Sequence, residues 1–244
     1  IGYYSGNLDQ GNNSTAVGHR SGFSSQGNKS VAIGNFAGNA SQGAESVAIG
    51  SGSGNGQQGT YCVAIGYSAG QARQGTQSVA IGYQAGNTLQ DDNSIAIGVQ
   101  AGQGTQQSQA IAIGYQAGRD LQAYNSIAIG QGAGNNSQKP NSIAIGYNSG
   151  FTNQGTNSIA IGSQAGKTNQ PNNSIVLNAT STALTPSSTN AFYVKPIRNA
   201  TATNNLLYNE ITGEIVYNTS ATSSTKTSSI QLNTWYLFII KSNS

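Results

Sequence analysis

The stretch Asn93-Ser94-Ile95-Ala96-Ile97-Gly98-Val99-Gln100-Ala101-Gly102 decides how this chain folds. Its first half alternates branched and small residues, with Ile95 and Ile97 on one side of an extended backbone and Ala96 on the other. That is the two-residue period of a β-strand, and isoleucine suits a pleated surface. Gly98 permits a backbone conformation that a Cβ disfavours, so the chain turns there. A short second strand is expected through Val99, Gln100 and Ala101, with a further turn at Gly102. The variable stretch that follows closes a coil.

Working outward, the same pattern recurs along most of the chain. The glycine that ends the apolar run stands at Gly2, Gly18, Gly34, Gly50, Gly66, Gly82, Gly98, Gly114, Gly130, Gly146 and Gly162, with a constant period of sixteen. A second glycine follows four positions later, from Gly6 to Gly166. A third column is Gln10, Gln26, Gln42, Gln58, Gln74, Gln90, Gln106, Gln122, Gln138, Gln154 and Gln170. Uninterrupted self-similarity of this kind marks a stacked repeat, and two glycines in every repeat exclude a helical one. The expected fold is therefore all-β: a parallel β-solenoid over residues 1–178, with eleven full coils, one per repeat, and a partial twelfth. At one strand spacing per coil the rod is roughly 50 Å long.

Period 2 fixes which residues share a face, not which face is inside. The Val/Ile columns, from Val31 and Ile33 to Ile159 and Ile161, are expected to fill the interior, with the alanine column Ala16 to Ala160 outside. The reverse assignment stays open. The glutamines read as a structural amide ladder in preference to a binding stripe, because the column never varies. The serine column from Ser14 to Ser174 admits Cys62 and Ala110 as small replacements, so Cys62 reads as a serine substitute and not a nucleophile.

The repeat fails at Ser174-Ile175-Val176-Leu177, where Asn178 takes the place of the glycine. Residues 179–190 are Ser/Thr-rich and read as a linker, and 191–244 as a small β-rich cap and assembly region. Leu206 to Tyr208 and Glu214 to Tyr217 are expected to form a hairpin. The last strand carries Trp235, Tyr236, Leu237, Phe238, Ile239 and Ile240. By pairing with the next subunit it could build an end-to-end filament.

Composition narrows the function further. Only 7% of the 244 residues are charged and the formal net charge is +3, with no run of Lys or Arg to follow a phosphate backbone, so nucleic-acid binding is not expected. The apolar run at Trp235 to Ile240 is too short for a membrane helix, and a lone cysteine forms no intrachain disulfide. The chain opens in mid-repeat at Ile1-Gly2 without a methionine, as a processed product or part of a longer chain would. Its one histidine, His19, shares a column with Tyr3, Tyr67, Tyr83, Tyr115 and Tyr147, and reads as an exposed or corner position rather than a base. The acids are dispersed, and no zinc spacing, phosphate loop or triad occurs. No enzyme activity, cofactor or metal is therefore expected. Threonine forms no regular rank in the coils, which argues against ice binding. Nine Asn-x-Ser/Thr sequons occur, at Asn12, Asn13, Asn28, Asn39, Asn135, Asn172, Asn178, Asn199 and Asn218.

The run Asn-Ser-Ile-Ala-Ile-Gly, at Asn125 to Gly130, Asn141 to Gly146 and Asn157 to Gly162, resembles the head repeat of YadA-like trimeric autotransporter adhesins. The resemblance covers roughly residues 1–178. It implies a left-handed parallel β-roll, three chains packed side by side, and a place on the cell surface. The family's usual repeat is shorter than the one here, and no heptad stalk or set of amphipathic membrane strands follows. The longer unit with Gly-Tyr-Gln-Ala-Gly, at Gly82 to Gly86 and Gly114 to Gly118, is similar to fibre repeats of phages and large viruses. The segment Phe192 to Arg198 is similar to fibre regions as well. These likenesses imply a structural, homotrimeric extracellular or virion fibre for attachment or display. The alternatives are an adhesin head that binds a cell-surface glycan or matrix, and an end-to-end filament subunit.

Overall fold

Four backbone sites with positive φ recur from coil to coil. In the coil that begins at Ser94 they are Gly98 (126°), Gln100 (56°), Gly102 (53°) and Gln109 (62°). Between them run two short strands, Ile95–Ile97 and Thr105–Gln106. The second strand therefore does not lie at Val99 to Ala101, as the alternation suggests. Positive φ at Gly98, Gln100 and Gly102 forces a compact turn there, and extended backbone resumes only in the variable stretch before the glutamine. The structure, a computed structural model, describes residues 1–197, 205–209 and 211–218.

Successive coils stack in parallel with every residue over its counterpart. Ile95, Ala96 and Ile97 pair with Ile111, Ala112 and Ile113, and Gln106 pairs with Gln122. The first strands of the coils make a 12-stranded sheet from Thr15–Val17 to Phe192–Lys195, and the second strands make a 9-stranded sheet from Ser25–Gln26 to Thr152–Gln154. The chain forms an all-β solenoid of about eleven regular coils, as the period of the sequence requires.

The interior is the reverse of the expected one. Alanines 32, 48, 64, 80, 96, 112, 128, 144 and 160 are completely buried, while the Val/Ile columns on either side of them are half-buried or exposed on the outer surface. The reason is the width of the coil. The two sheets are bridged by one glutamine side chain, whose Nε2 reaches from the second strand to a carbonyl of the first at 2.7–3.0 Å in ten coils. So thin a space admits alanine and serine but not two ranks of isoleucine, because protein interiors fill to crystal-like density. A second small column, Ala37, Ser53, Ala69, Ala85, Ala101, Ala117, Ala133, Ser149 and Ala165, lines the same space beside the turn.

The solenoid continues past Asn178. Residues 179–190 make an irregular coil: Leu184 bridges to Ala165, and the Gly166 N–H donates to the Leu184 carbonyl at 2.9 Å. Phe192–Lys195 then pairs in parallel with Ile175–Asn178, so this strand completes the long sheet and does not belong to a separate cap. Along the alanine column the series becomes Ala160, Val176, Tyr193, and Leu184 and Tyr193 pack on the last core cluster. Larger residues thereby close the thin core at this end, as a solenoid terminus requires. The side chain of Asn178 bonds the carbonyls of Ser163 (2.7 Å) and Thr182 (2.8 Å).

Residues Ile1–Pro196 form one compact unit, and the described part of the second is a hairpin. Asn205–Tyr208 pairs antiparallel with Ile215–Asn218. Its turn is held by Asn209 Oδ1, which accepts from the N–H groups of Ile211 (2.9 Å) and Thr212 (3.2 Å).

Candidate functional site

The three invariant columns are one interlocked device. Gln106 is fully buried, and its Nε2 donates to the carbonyls of Ile95 (2.7 Å) and Ala110 (3.2 Å) and to Gln122 Oε1 (3.1 Å). The same coil-to-coil amide bond joins Gln58 to Gln74 and Gln90 to Gln106, each at 3.1 Å. The bond across the coil is the shorter and more regular one, so the glutamine is first a strut between the sheets and second a ladder rung. The second glycine column makes room for it: a Cβ on Gly102 would lie 2.8 Å from Gln106 Oε1. The first glycine column serves the stacking itself, since a Cβ on Gly98 would lie 2.6 Å from the Gly114 carbonyl oxygen.

The buried serines complete the lining. Ser94 Oγ donates to the Asp91 carbonyl at 2.6 Å, and Ser78 Oγ to the same carbonyl at 2.9 Å. Cys62 occupies this column, buried, with its Sγ donating to the Gly75 carbonyl. Burial pushes the Cys62 thiol above its ordinary pKa, against a lowering by hydrogen bonds from the backbone around Ser78 and Gln77. That is the setting of a packed serine substitute and not of a reactive thiolate.

Function must therefore lie on the outer surface, and two features stand out there. One is the outer face of the 12-stranded sheet, where Val/Ile columns run unbroken by any charged residue from Val31 and Ile33 to Ile175 and Leu177. The other is the column just beyond the first glycine, where Tyr67, Tyr83, Tyr115 and Tyr147 stand about half exposed and His19 is exposed. The rings of Tyr67 and Tyr83 stack at 5.3 Å, and those of Tyr3 and His19 at 5.7 Å. The tyrosine column is legible in the sequence. The outward aliphatic face is not legible from alternation, and its only signal is the narrowness implied by two small-residue columns.

The remaining polar contacts are local. Lys29 pairs with Glu45, Arg73 with Asp91 and Arg119 with Asp120, all at exposed or half-exposed positions. Among the described residues no group of three His, Cys, Asp or Glu side chains converges, and no helix is long and apolar enough to cross a membrane. Two of the sequon asparagines, Asn135 and Asn178, are buried and hydrogen-bonded, so the folded solenoid offers no glycan acceptor there. The proposed assembly strand, Trp235 to Ile240, lies outside the described residues.

No curated protein and no solved structure matches this chain significantly. The family of the YadA head domain repeat does match, with two copies recognised over residues 74–86, 122–149 and 154–165. Those spans run through the buried alanine, glycine and glutamine positions described above, so within them the coils are similar to YadA head repeats.

Proposed function

We propose that this chain is the rod of a homotrimeric surface fibre, extracellular or virion-borne, that displays or attaches and catalyses no reaction. Three rods pack side by side through the outer face of the 12-stranded sheet. One observation carries the reading: the bulky aliphatic residues lie outside and the small ones inside. Ile33, Ile129 and Ile161 expose 36–41% of their surface, and their neighbours in the columns are half-buried. The resulting stripe presents apolar area on the order of 1,000 Å², more than the few hundred Å² that monomeric proteins leave open. A second copy is the occupant that matches it, because a straight apolar stripe of constant pitch is complementary to itself along its whole length. The YadA head repeats support three copies, that family being trimeric.

The test is mass in solution. The intact chain is expected at three times 24.9 kDa. The double variant Ile97→Asp, Ile113→Asp should give a folded monomer, since these side chains do not enter the core. A native chain that is monomeric at micromolar concentration would overturn the reading, as would a double variant that stays trimeric.

A further inference from the structure

From Tyr83 to Tyr147 the tyrosine column is a ladder with every second rung removed. Backbone hydrogen bonds set its register: the Gln84 N–H donates to the Tyr67 carbonyl, Gln100 to Tyr83, Gln116 to Val99, Gly132 to Tyr115 and Asn148 to Gln131. Where tyrosines occupy adjacent coils, as Tyr67 and Tyr83 do, their rings stack at 5.3 Å with planes 12° apart. Tyr83 and Tyr115 are two coils apart with Val99 between them, and Tyr115 and Tyr147 are two coils apart with Gln131 between them. Two strand spacings come to about 9.6 Å. The gap over the short Val99 side chain is therefore wide enough for one more ring, stacked on a tyrosine on either side. Val99, 41% exposed, lies between the first pair.

The wall beside the first gap is made of amides. Gln116 Nε2 donates to Gln100 Oε1 at 2.9 Å, and Gln100 Nε2 to Gln84 Oε1 at 3.3 Å. This chain spans the same three coils as Tyr83, Val99 and Tyr115. Among the described residues, the Gln84 Nε2 protons find no acceptor and Gln116 Oε1 accepts no donor, so the chain offers a donor at one end and an acceptor at the other. The nearby charges cancel, because Arg119 and Asp120 pair with each other at 2.8 and 3.0 Å. An aromatic face for C–H stacking, flanked by neutral amides, is suited to sugar rings with vicinal hydroxyls.

We propose that the gap between Tyr83 and Tyr115 clamps one pyranose ring, the terminal ring of a neutral β-linked glycan that projects outward from the rod. The gap belongs to a single rod, so the proposal stands whether or not rods associate, and it names a ligand class that the fibre reading leaves open.

The intact chain is titrated calorimetrically with β-1,4-linked hexasaccharides of glucose, mannose and N-acetylglucosamine. At least one should bind, and Tyr115→Ala, which opens the gap on one side, should weaken it about tenfold or more. Filling the gap is the sharper test. Val99→Tyr would continue the stacked column, so it should abolish binding while the circular dichroism and melting temperature hold. Tyr61→Ala, at a 58% exposed tyrosine outside the column, should bind as the native chain does. The proposal is overturned if none of the three sugars binds at millimolar concentration, or if the filled variant binds normally. It is equally overturned if Tyr61→Ala loses as much as Tyr115→Ala. A filled variant whose mass in solution changes while sugar binding does not would assign the gap to a ring of a second copy, and the proposal fails.

Discussion

Replacing Gln106 by glutamate changes one atom from donor to acceptor at the centre of the rod. The native Nε2 faces the Ile95 and Ala110 carbonyls and Gln122 Oε1 at 2.7, 3.2 and 3.1 Å, and the residue is wholly buried. An ionised carboxylate there would point negative oxygen at three acceptors. A protonated carboxyl would restore one donor, so the folded state favours the proton. Buried glutamates reach pKa values of about 8–9, some four units above the unfolded value near 4.3. The folded pKa is thus raised above the unfolded one. Gln106→Glu should therefore be most stable below about pH 4.3, and should lose stability at up to about 1.4 kcal/mol per unit as the pH rises toward the folded pKa. Over that window the loss sums to about 5 kcal/mol. In a solenoid the damage is local, because each coil contacts only its neighbours. Proteolysis at pH 8 should then cut near residue 106 and leave two resistant fragments, whereas at pH 4 the rod should survive whole. Gln106→Leu, which fills similar volume without charge, should show no such pH dependence. Equal stability of Gln106→Glu at pH 4 and pH 8 would refute the placement of the glutamines as inter-sheet struts.

Two further outcomes follow from the columns. Gly98→Ala puts a Cβ 2.6 Å from the Gly114 carbonyl at a φ of 126°, and should cost about 3–5 kcal/mol in a thermal or chemical melt; Gly213→Ala, at a φ of 72° with nothing within 4 Å, should cost only about 1 kcal/mol. Cys62 should resist thiol reagents until the rod unfolds, and Cys62→Ser should change stability by about 1 kcal/mol or less. Because burial raises the Cys62 pKa, the folded state holds the proton longer than the unfolded one. Stability should accordingly fall as the pH rises past the ordinary thiol value near 8.5, and the serine variant should lack that slope.

The period, the coil number and the strand at Ile95 to Ile97 are readable in the sequence because three columns recur without a gap, and so regular a period with β-branched alternation has few solutions. The identity of the inside is not readable from alternation, which treats the two faces of a strand alike. The deciding information is distributed over other positions: the second small column from Ala37 to Ala165 and the polar glutamine column have to share the space with whichever face turns inward. The summed volumes of those columns exclude isoleucine. The second strand is misplaced by the sequence because Val99-Gln100-Ala101 looks extended by composition, while Gln100 adopts a φ of 56° that no composition rule assigns to glutamine. Phe192–Lys195 reads as part of the C-terminal region because the coil before it is longer than the others and has no glycine pair, so its pairing with Ile175–Asn178 is visible only in space. The tyrosine gap lies in plain view in the column, but its meaning depends on the 5.3 Å stacking of Tyr67 on Tyr83.

A core of alanine, serine and glutamine has a consequence for the proposed assembly. Ordering each residue costs about 1–2 kcal/mol of backbone entropy, and alanines return little apolar area for it. The long side chains that could return more are on the outside, half wetted, in the Val/Ile columns. Covering the exposed remainder of each isoleucine against another rod would contribute on the order of 1 kcal/mol. The contribution repeats with every coil, so lateral association strengthens in proportion to the length of rod in register. A pair of charges in mid-face should then be worse than the same pair near an end. Ile97→Asp with Ile113→Asp divides the apolar stripe into two short halves, while Ile33→Asp with Ile49→Asp leaves most of it continuous. The end-placed pair should weaken the trimer and the mid-face pair should abolish it. Equal effects at both places would mean that the rods are joined at one point and not along their length.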